Sequence, residues 1–138
     1  MKCCIYKKIS FSLVLFALGT IMFSCEEPPF DSGNNQLIFP DSNVSYKKHV
    51  QPLFHKYCNT AGCHDQQYSD RQFDLISWGG FMIAPRRIVN AGFPDNSPLI
   101  LRSEGALFGP QMPLNRPPLK KNYLNGLRIW VREGAKDN

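Results

Sequence analysis

The residues of this chain that could carry out distinctive chemistry are concentrated in the heptapeptide CNTAGCH at positions 58–64. Two cysteines with a histidine directly after the second form the attachment pattern of haem c, in which the thiols bind the porphyrin and the imidazole binds the iron. Four residues separate Cys58 from Cys63, two more than the usual pattern has, and Gly62 can allow the necessary bulge. The heptapeptide therefore predicts one covalent haem c, attached through Cys58 and Cys63, with His64 as an iron ligand.

Two other interpretations of the same residues stay open at this point. In an oxidising compartment Cys58 and Cys63 could form a disulfide, which gives His64 no role. Zinc is the second alternative, with these three residues and either His49 or His55 as ligands. Directly adjacent ligands such as Cys63 and His64 suit a tetrahedral structural site poorly, and we expect His49 and His55 to be surface or packing residues. Either alternative would make the chain a non-redox adaptor module.

Met112 is the candidate for the second axial ligand of a haem iron. It lies in a loop between Gly109-Pro110 and Pro117-Pro118, and a methionine thioether often completes the coordination of a histidine-bound iron. Prolines on both sides would stiffen the loop and reduce the entropy lost when it is ordered. Met82, in a weakly helical stretch, is the second candidate. The alternative for Met112 is a methionine that only fills core space.

The first part of the chain predicts export. Lys2, Lys7 and Lys8 precede an uncharged run at residues 9–23, which ends at Ser24-Cys25. A basic region, an apolar region and a small residue in this order are typical of a signal peptide. A helix over the run would be about 22 Å long, which is too short for a hydrocarbon core of about 30 Å. We therefore expect residues 1–24 to be removed as a signal peptide.

Cys25 is the predicted lipid attachment site. Residues 22–25, Met-Phe-Ser-Cys, resemble a bacterial lipobox, although Phe23 is bulkier than the pattern prefers; a free cysteine beside an ordinary cleavage site is the alternative. The lipid would anchor the protein to a membrane of the cell envelope, facing the periplasm or the cell surface. Removal of the signal lowers the formal charge from +5 to +2, so the charge argues little for nucleic-acid binding.

The mature chain divides into a polar segment and one domain. Residues 25–44 are rich in turn-forming residues and lack periodicity, which predicts a lipidated N-terminus and a flexible tether with a root-mean-square reach of about 24 Å. Only residues 37–39 of the tether look able to pack. We assign residues 45–138 to the folded domain.

The periodicity of this domain is helical and does not require a sheet. Apolar residues recur at helical spacing from 46 to 57, where Pro52 predicts either a kink or a helix with the proline in its first turn. From about Lys120 to Glu133 a second apolar stripe predicts a helix that Gly134 closes, with Trp130 in the core beside the haem. Between them we predict a short helix at 77–82 and a helix that starts at Ser97-Pro98.

With these residues in view, the chain resembles a class I cytochrome c domain, and more narrowly the small monohaem lipoprotein cytochromes of Bacteroidetes and Planctomycetes. The resemblance covers residues 45–138. The shared features are Val-x-Pro-x-Phe at 50–54, the heptapeptide, Asn-Ser-Pro-Leu-Ile at 96–100, Met-Pro at 112–113 and Trp-Val-x-x-Gly-Ala at 130–135. It implies an all-α, class I cytochrome c-like fold of short helices around one haem, with the first and last helices crossing.

The residues and the resemblance together imply a one-electron carrier rather than an enzyme. His64 and Met112 would occupy both axial positions of the iron and leave none for a substrate. Redox partner proteins, including membrane-bound ones, would be its partners. The alternative is a haem enzyme or gas-binding site with an open sixth position, although no acid–base pair is evident in the sequence near Met112.

Overall fold

The computed structural model describes residues 30–31, 36–65, 73–83 and 86–138. These residues form short helices around one core, with two two-residue strands, β1 (Phe30–Asp31) and β2 (Gln36–Leu37). The structure is thus mostly helical with little strand, which is compatible with the predicted all-α class. The predicted signal peptide, Cys25 and most of the first half of the tether lie outside the described residues. Among the helices that are described, none combines the length and the apolar composition needed to cross a membrane.

The first helical segment begins as a π-helical turn, Tyr46–Val50, and continues as α1, Gln51–Tyr57. Pro52 explains the change. It lacks an amide hydrogen, and in a regular α-helix its ring would clash with the carbonyl four residues earlier. In the wider turn the Gln51 amide donates instead to the carbonyl of Tyr46, five residues back. The prediction of a helix with proline in its first turn is therefore confirmed for α1, which a π-helical turn precedes.

Residues 36–44, which the sequence analysis assigned to the tether, lie against the domain. Leu37 and Val44 are buried in the hydrophobic core, and β2 pairs antiparallel with β1. Phe39 packs onto α4 (Lys121–Arg132) at Gly126, where a Cβ atom would collide with the phenylalanine ring. The folded part of the chain therefore begins before Ser45.

The C-terminal residues hold this segment and the start of the first helix. The Glu133 carboxylate accepts hydrogen bonds from the backbone amides of residues 43 and 44 at 2.7 and 2.9 Å. The Asn138 carbonyl accepts from the Lys47 amide at 3.0 Å and from the Ser45 hydroxyl at 2.7 Å. The Asn138 side chain accepts from the amide of Tyr46 at 2.9 Å. The bonds of residues 46 and 47 satisfy amides at a helix start that have no partner within the helix.

The middle of the domain contains α2 (Gly79–Met82), a single turn, and α3 (Pro98–Glu104). Both helices were predicted, but Ser97 does not cap α3 with its side chain. The Ser97 hydroxyl instead accepts a hydrogen bond from the Asn90 amide and donates one to the Phe93 carbonyl, both at 2.9 Å. The buried serine therefore fixes the loop before α3 rather than the first turn of the helix.

The helix α4 carries the predicted apolar stripe on its buried side. Its fully buried stripe residues are Tyr123, Leu127, Trp130 and Val131. The helix ends in a Schellman motif, in which the Ala135 amide donates to the carbonyl of residue 130 at 2.9 Å and the Gly134 amide to that of residue 131 at 3.1 Å. Gly134 has a φ of +101°, which glycine adopts without steric cost. The predicted closing role of Gly134 is confirmed.

An aromatic cluster connects the first and last helical segments. The ring of Tyr46 lies 5.9 Å from that of Trp130 and 6.0 Å from that of Phe81, measured between centroids. Phe54 meets Phe81 edge to face at 5.4 Å, one of the arrangements that aromatic rings prefer. Trp130 is therefore a core residue, as predicted, and it is not among the described residues that line the cavity of the candidate site.

Candidate functional site

A cavity of about 520 Å³ lies beside the loop that follows α1, within the usual volume range of cofactor sites. Cys58, Cys63, His64 and Met112 all line this cavity. The chain therefore brings together the four residues that the sequence analysis selected, although Met112 comes from a distant loop. Much of the remaining wall is apolar and includes Phe73, Leu75, Ile88, Leu99, Leu107 and Leu114.

The loop from Cys58 to His64 is closed by its own backbone. The Cys58 amide continues the helical pattern by donating to the carbonyl of residue 54 at 2.8 Å. The Cys58 carbonyl accepts a hydrogen bond from the His64 amide at 3.1 Å, which closes the loop. The Cys63 amide donates to the Thr60 carbonyl at 2.9 Å. Gly62 has a φ of +80°, the conformation that the predicted bulge requires. The wide spacing between the cysteines is thus compatible with an ordered loop.

Both cysteines of this loop are thiols in the structure. Burial, with a smaller contribution from neighbouring Cys63, raises the pKa of Cys58 to about 12. The Thr60 hydroxyl lies within hydrogen-bonding distance of the Cys63 sulfur, at 3.4 Å. Cys58 is therefore protonated at neutral pH, and a neutral thiol is a weak nucleophile and a poor metal ligand.

His64 is held by residues 73 and 75, which follow the loop in the sequence. Its ring stacks on that of Phe73, with 5.0 Å between centroids and 23° between planes. Its carbonyl accepts a hydrogen bond from the Leu75 amide at 3.1 Å. The Nδ1 atom of His64 is buried. These contacts fix the imidazole at the wall of the cavity.

The two other histidines lie away from the cavity wall. The Nδ1 atom of His49 accepts a hydrogen bond from the Ser45 amide at 2.9 Å, and burial lowers its pKa. His55 is exposed and lies 3.0 Å from the Asn59 side chain. In the described ranges, no three His, Cys, Asp or Glu side chains are grouped closely enough to hold a metal ion. The described residues therefore provide no set of four ligands for zinc.

The structure distinguishes the two candidate methionines by position. Met112 lines the cavity, and its amide donates to the carbonyl of Arg102 at 3.0 Å. Met82 belongs to α2 and packs against the hydrophobic core, and it is absent from the described lining. Of the two, Met112 is the one that shares the cavity with the cysteines and His64.

One face of α3 forms a further wall of the cavity, which the sequence analysis did not identify. It comprises residues 98, 99, 102 and 103, which share a face because they follow helical spacing.

The charged side chains of the cavity wall are all basic among the described residues. Three arginines, Arg86, Arg102 and Arg116, line the cavity, while its described lining contains no Asp or Glu. These arginines are separated in the sequence and follow no motif, so only the folded chain reveals that they share one site.

Comparisons with known proteins found no match for this chain. No protein-family model, no curated protein and no solved structure matches it.

Proposed function

We propose that the chain is an exported, lipid-anchored monohaem cytochrome c that carries single electrons. The haem would be attached through Cys58 and Cys63, and its iron bound by His64 and Met112. The observation that carries this proposal is that all four side chains line one cavity. The mostly helical architecture is compatible with the class I cytochrome c-like fold that the resemblance implies. The pattern of residues 1–25 supports export and lipidation at Cys25.

The residues around the cavity fit a haem in their chemistry. Two thiols and an imidazole come from one loop and a thioether from another, which is a suitable set for covalent attachment and for two axial ligands. The apolar wall suits the porphyrin ring. The three arginines, with no carboxylate in the described lining, suit the two propionates of a haem, because guanidinium groups bind carboxylates strongly.

A bound haem would supply a reversible one-electron couple. In this proposal, Cys58 and Cys63 would hold the group covalently, while His64 and Met112 would bind its iron and leave no position for a substrate. The apolar side chains of the wall limit access of water. A thioether ligand favours a higher reduction potential than a second histidine would, so Met112 would also raise the potential of a bound haem.

The described cavity gives less support to the alternative of a haem enzyme. Among the described lining residues His64 is the one histidine, and none is a carboxylate. A site that activates a substrate by proton transfer usually places a second acid or base within reach. A zinc adaptor is also less well supported, since His49 and His55 lie away from the cavity lining.

An optical spectrum distinguishes these functions. We expect the mature protein, produced with a haem-attachment system, to show sharp α and β bands when reduced. In the oxidised form we expect a weak near-infrared band from sulfur-to-iron charge transfer. A high-spin spectrum would instead support the enzyme, and protein that acquires no haem absorbance would exclude the carrier.

Replacement of Met112 by Ala tests the axial ligand. The variant should lose the near-infrared band, show a lower reduction potential and bind carbon monoxide when reduced, because the sulfur ligand that stabilises ferrous iron is gone. Met82→Ala is the matched control, which should lose packing energy but keep all three properties of the parent. A Met112→Ala protein with the parent's band and potential would show that another residue binds the iron.

A further inference from the structure

We infer that Arg102 of α3 is a positioning residue for Met112. Its contacts with residues 109–112, the methionine loop, hold the Met112 thioether at the cavity wall. This inference rests on the proposed function. Arg102 contacts the loop through its backbone and its side chain. Its carbonyl accepts the hydrogen bond of the Met112 amide at 3.0 Å, and its Nη1 atom donates to the Pro110 carbonyl at 3.3 Å.

Gly109 provides a third contact between Arg102 and the loop. Its φ is +102°, and a Cβ atom at this position would collide with the Arg102 guanidinium. The close approach of the side chain to the loop therefore requires glycine, both for the backbone conformation and for the space. Together the contacts link Arg102 with three of the four residues from 109 to 112.

The remaining loop residue is attached to the same helix. The Gln111 side-chain amide donates to the Ser103 carbonyl at 2.9 Å. The next residue of α3, Glu104, forms an ion pair with Arg128 of α4 at 2.9 Å. The methionine loop is thus attached to a helix that is itself fixed to the longest described helix. A loop held in this way would lose less entropy when Met112 binds the iron than a loop without these contacts.

Arg86 provides the matched comparison. It carries the same charge and lines the same cavity, but it belongs to a segment remote from the methionine loop in sequence. If Arg102 acted only by its charge on the cavity, loss of either arginine would have similar effects on Met112. If Arg102 positions the loop, exchange of the Met112 amide will change when Arg102 is replaced or when a side chain at residue 109 displaces it, and will not change when Arg86 is replaced.

The test compares Arg102→Ala, Arg102→Lys, Gly109→Ala and Arg86→Ala in the haem-loaded mature protein. Three properties are measured: the near-infrared band, carbon monoxide binding to the reduced form, and hydrogen exchange of the Met112 amide. In Arg102→Ala and Gly109→Ala we expect a weaker band, carbon monoxide binding that the parent resists, and amide exchange about tenfold faster. Arg102→Lys should be intermediate, because it retains a donor without the guanidinium geometry. Arg86→Ala removes one of the arginines proposed for the propionates, so it is compared only by exchange of the Met112 amide, which should keep the parent's rate.

The outcomes separate this inference from the proposed function. If both Arg102→Ala and Gly109→Ala keep the parent's band and exchange rate while Met112→Ala loses the band, Arg102 does not position the ligand. Equal changes of the Met112 amide exchange in Arg86→Ala and Arg102→Ala would also overturn the inference, in favour of a general effect of charge. If the parent binds no haem, the proposed function fails, and exchange of the Met112 amide in the same variants still decides whether Arg102 holds the loop.

Discussion

At the scale of single residues, the loop from Cys58 to His64 is held by a backbone hydrogen bond and by an aromatic contact. The Cys58 carbonyl and the His64 amide close it by a hydrogen bond of 3.1 Å, and Phe73 stacks on the imidazole. The two thiols and the imidazole therefore lie at one cavity wall, in a loop held by contacts within the chain. Preorganisation of this kind lowers the entropy cost of binding a ligand.

Removal of either thiol tests whether this loop attaches haem. We expect Cys63→Ala to hold haem through at most one thioether bond, and Cys58→Ala to behave similarly, because each thiol contributes one covalent bond to the porphyrin. Acid-acetone extraction followed by a haem stain of the denatured protein measures the attachment. Normal yield of holoprotein with unextractable haem in both variants would contradict the haem c assignment.

The raised pKa of Cys58 gives a second prediction, for protein made without haem. Since the pKa rises from an ordinary value of 9.0 to about 12, the thiolate fraction near pH 8 falls about a thousandfold, and the thiolate is the reactive form. Alkylation of Cys58 by iodoacetamide should therefore be much slower in the folded protein than in urea. The unfolded chain releases this proton first, so stability should fall between pH 9 and 12.

Mass spectrometry of the alkylated peptides measures the rate at each pH. A Cys58→Ser variant should lose the part of the stability change that this thiol causes, which identifies its source. Cys58 that reacts equally fast in the folded protein and in urea would show that the thiol is not buried.

At the scale of the helices, Gly126 links α4 to the segment before the first helix. Glycine in a helix interior usually costs about 1 kcal/mol relative to alanine, so Gly126→Ala would ordinarily stabilise α4. Here the Phe39 ring occupies the space that the Cβ atom needs. We therefore expect Gly126→Ala to lower the free energy of unfolding by about 1–3 kcal/mol, the usual cost of overpacking.

A double-mutant cycle identifies the cause of that loss. In a Phe39→Ala background the space is open, so Gly126→Ala should raise the free energy of unfolding by about 1 kcal/mol. Urea unfolding of the four proteins measures the coupling. If Gly126→Ala stabilises the protein in both backgrounds, Phe39 does not pack on α4 in solution.

The sequence predicts the elements with strong local signals and misses those that depend on tertiary contacts. The apolar stripe that ends at Gly134 indicates α4, and Pro52 indicates the start of α1, because each acts within one or two helical turns. The contact of Phe39 with Gly126 cannot be predicted in this way, since it joins residues remote in sequence. The α3 face that includes Arg102 could not be predicted either, because helical periodicity does not show which face of a helix lines a cavity.

At the scale of the whole molecule, the candidate ligands are predictable by residue type, and their shared location depends on the fold. Cys58, Cys63 and His64 form a local pattern, and Met112 follows from the chemistry of iron and from its proline-rich surroundings. Domains of this size bury a modest fraction of their surface and are only marginally stable. A porphyrin in the cavity would add apolar contacts that the small core lacks.

The proposed membrane attachment belongs to the same scale and would depend on Cys25, which lies outside the described residues. We expect Cys25→Ser to release the domain into the soluble fraction or to leave the precursor uncleaved, because the lipid is the proposed anchor. Fractionation of cells with detection of the mature and precursor forms measures both results. A correctly cleaved variant that still partitions with membranes would place the anchor elsewhere.

The packing of residues 36–44 against the domain limits how far a lipid-anchored protein could travel. Phe30 is paired with the buried Leu37, so only four residues separate Cys25 from the first described residue. The five steps from residue 25 to residue 30 span at most about 18 Å when fully extended. The domain would therefore search for its partners almost in two dimensions, within a thin layer above one membrane. Electron exchange would then be fast with proteins of that same layer, where the effective concentration is high, and would require a mobile intermediary to reach any other.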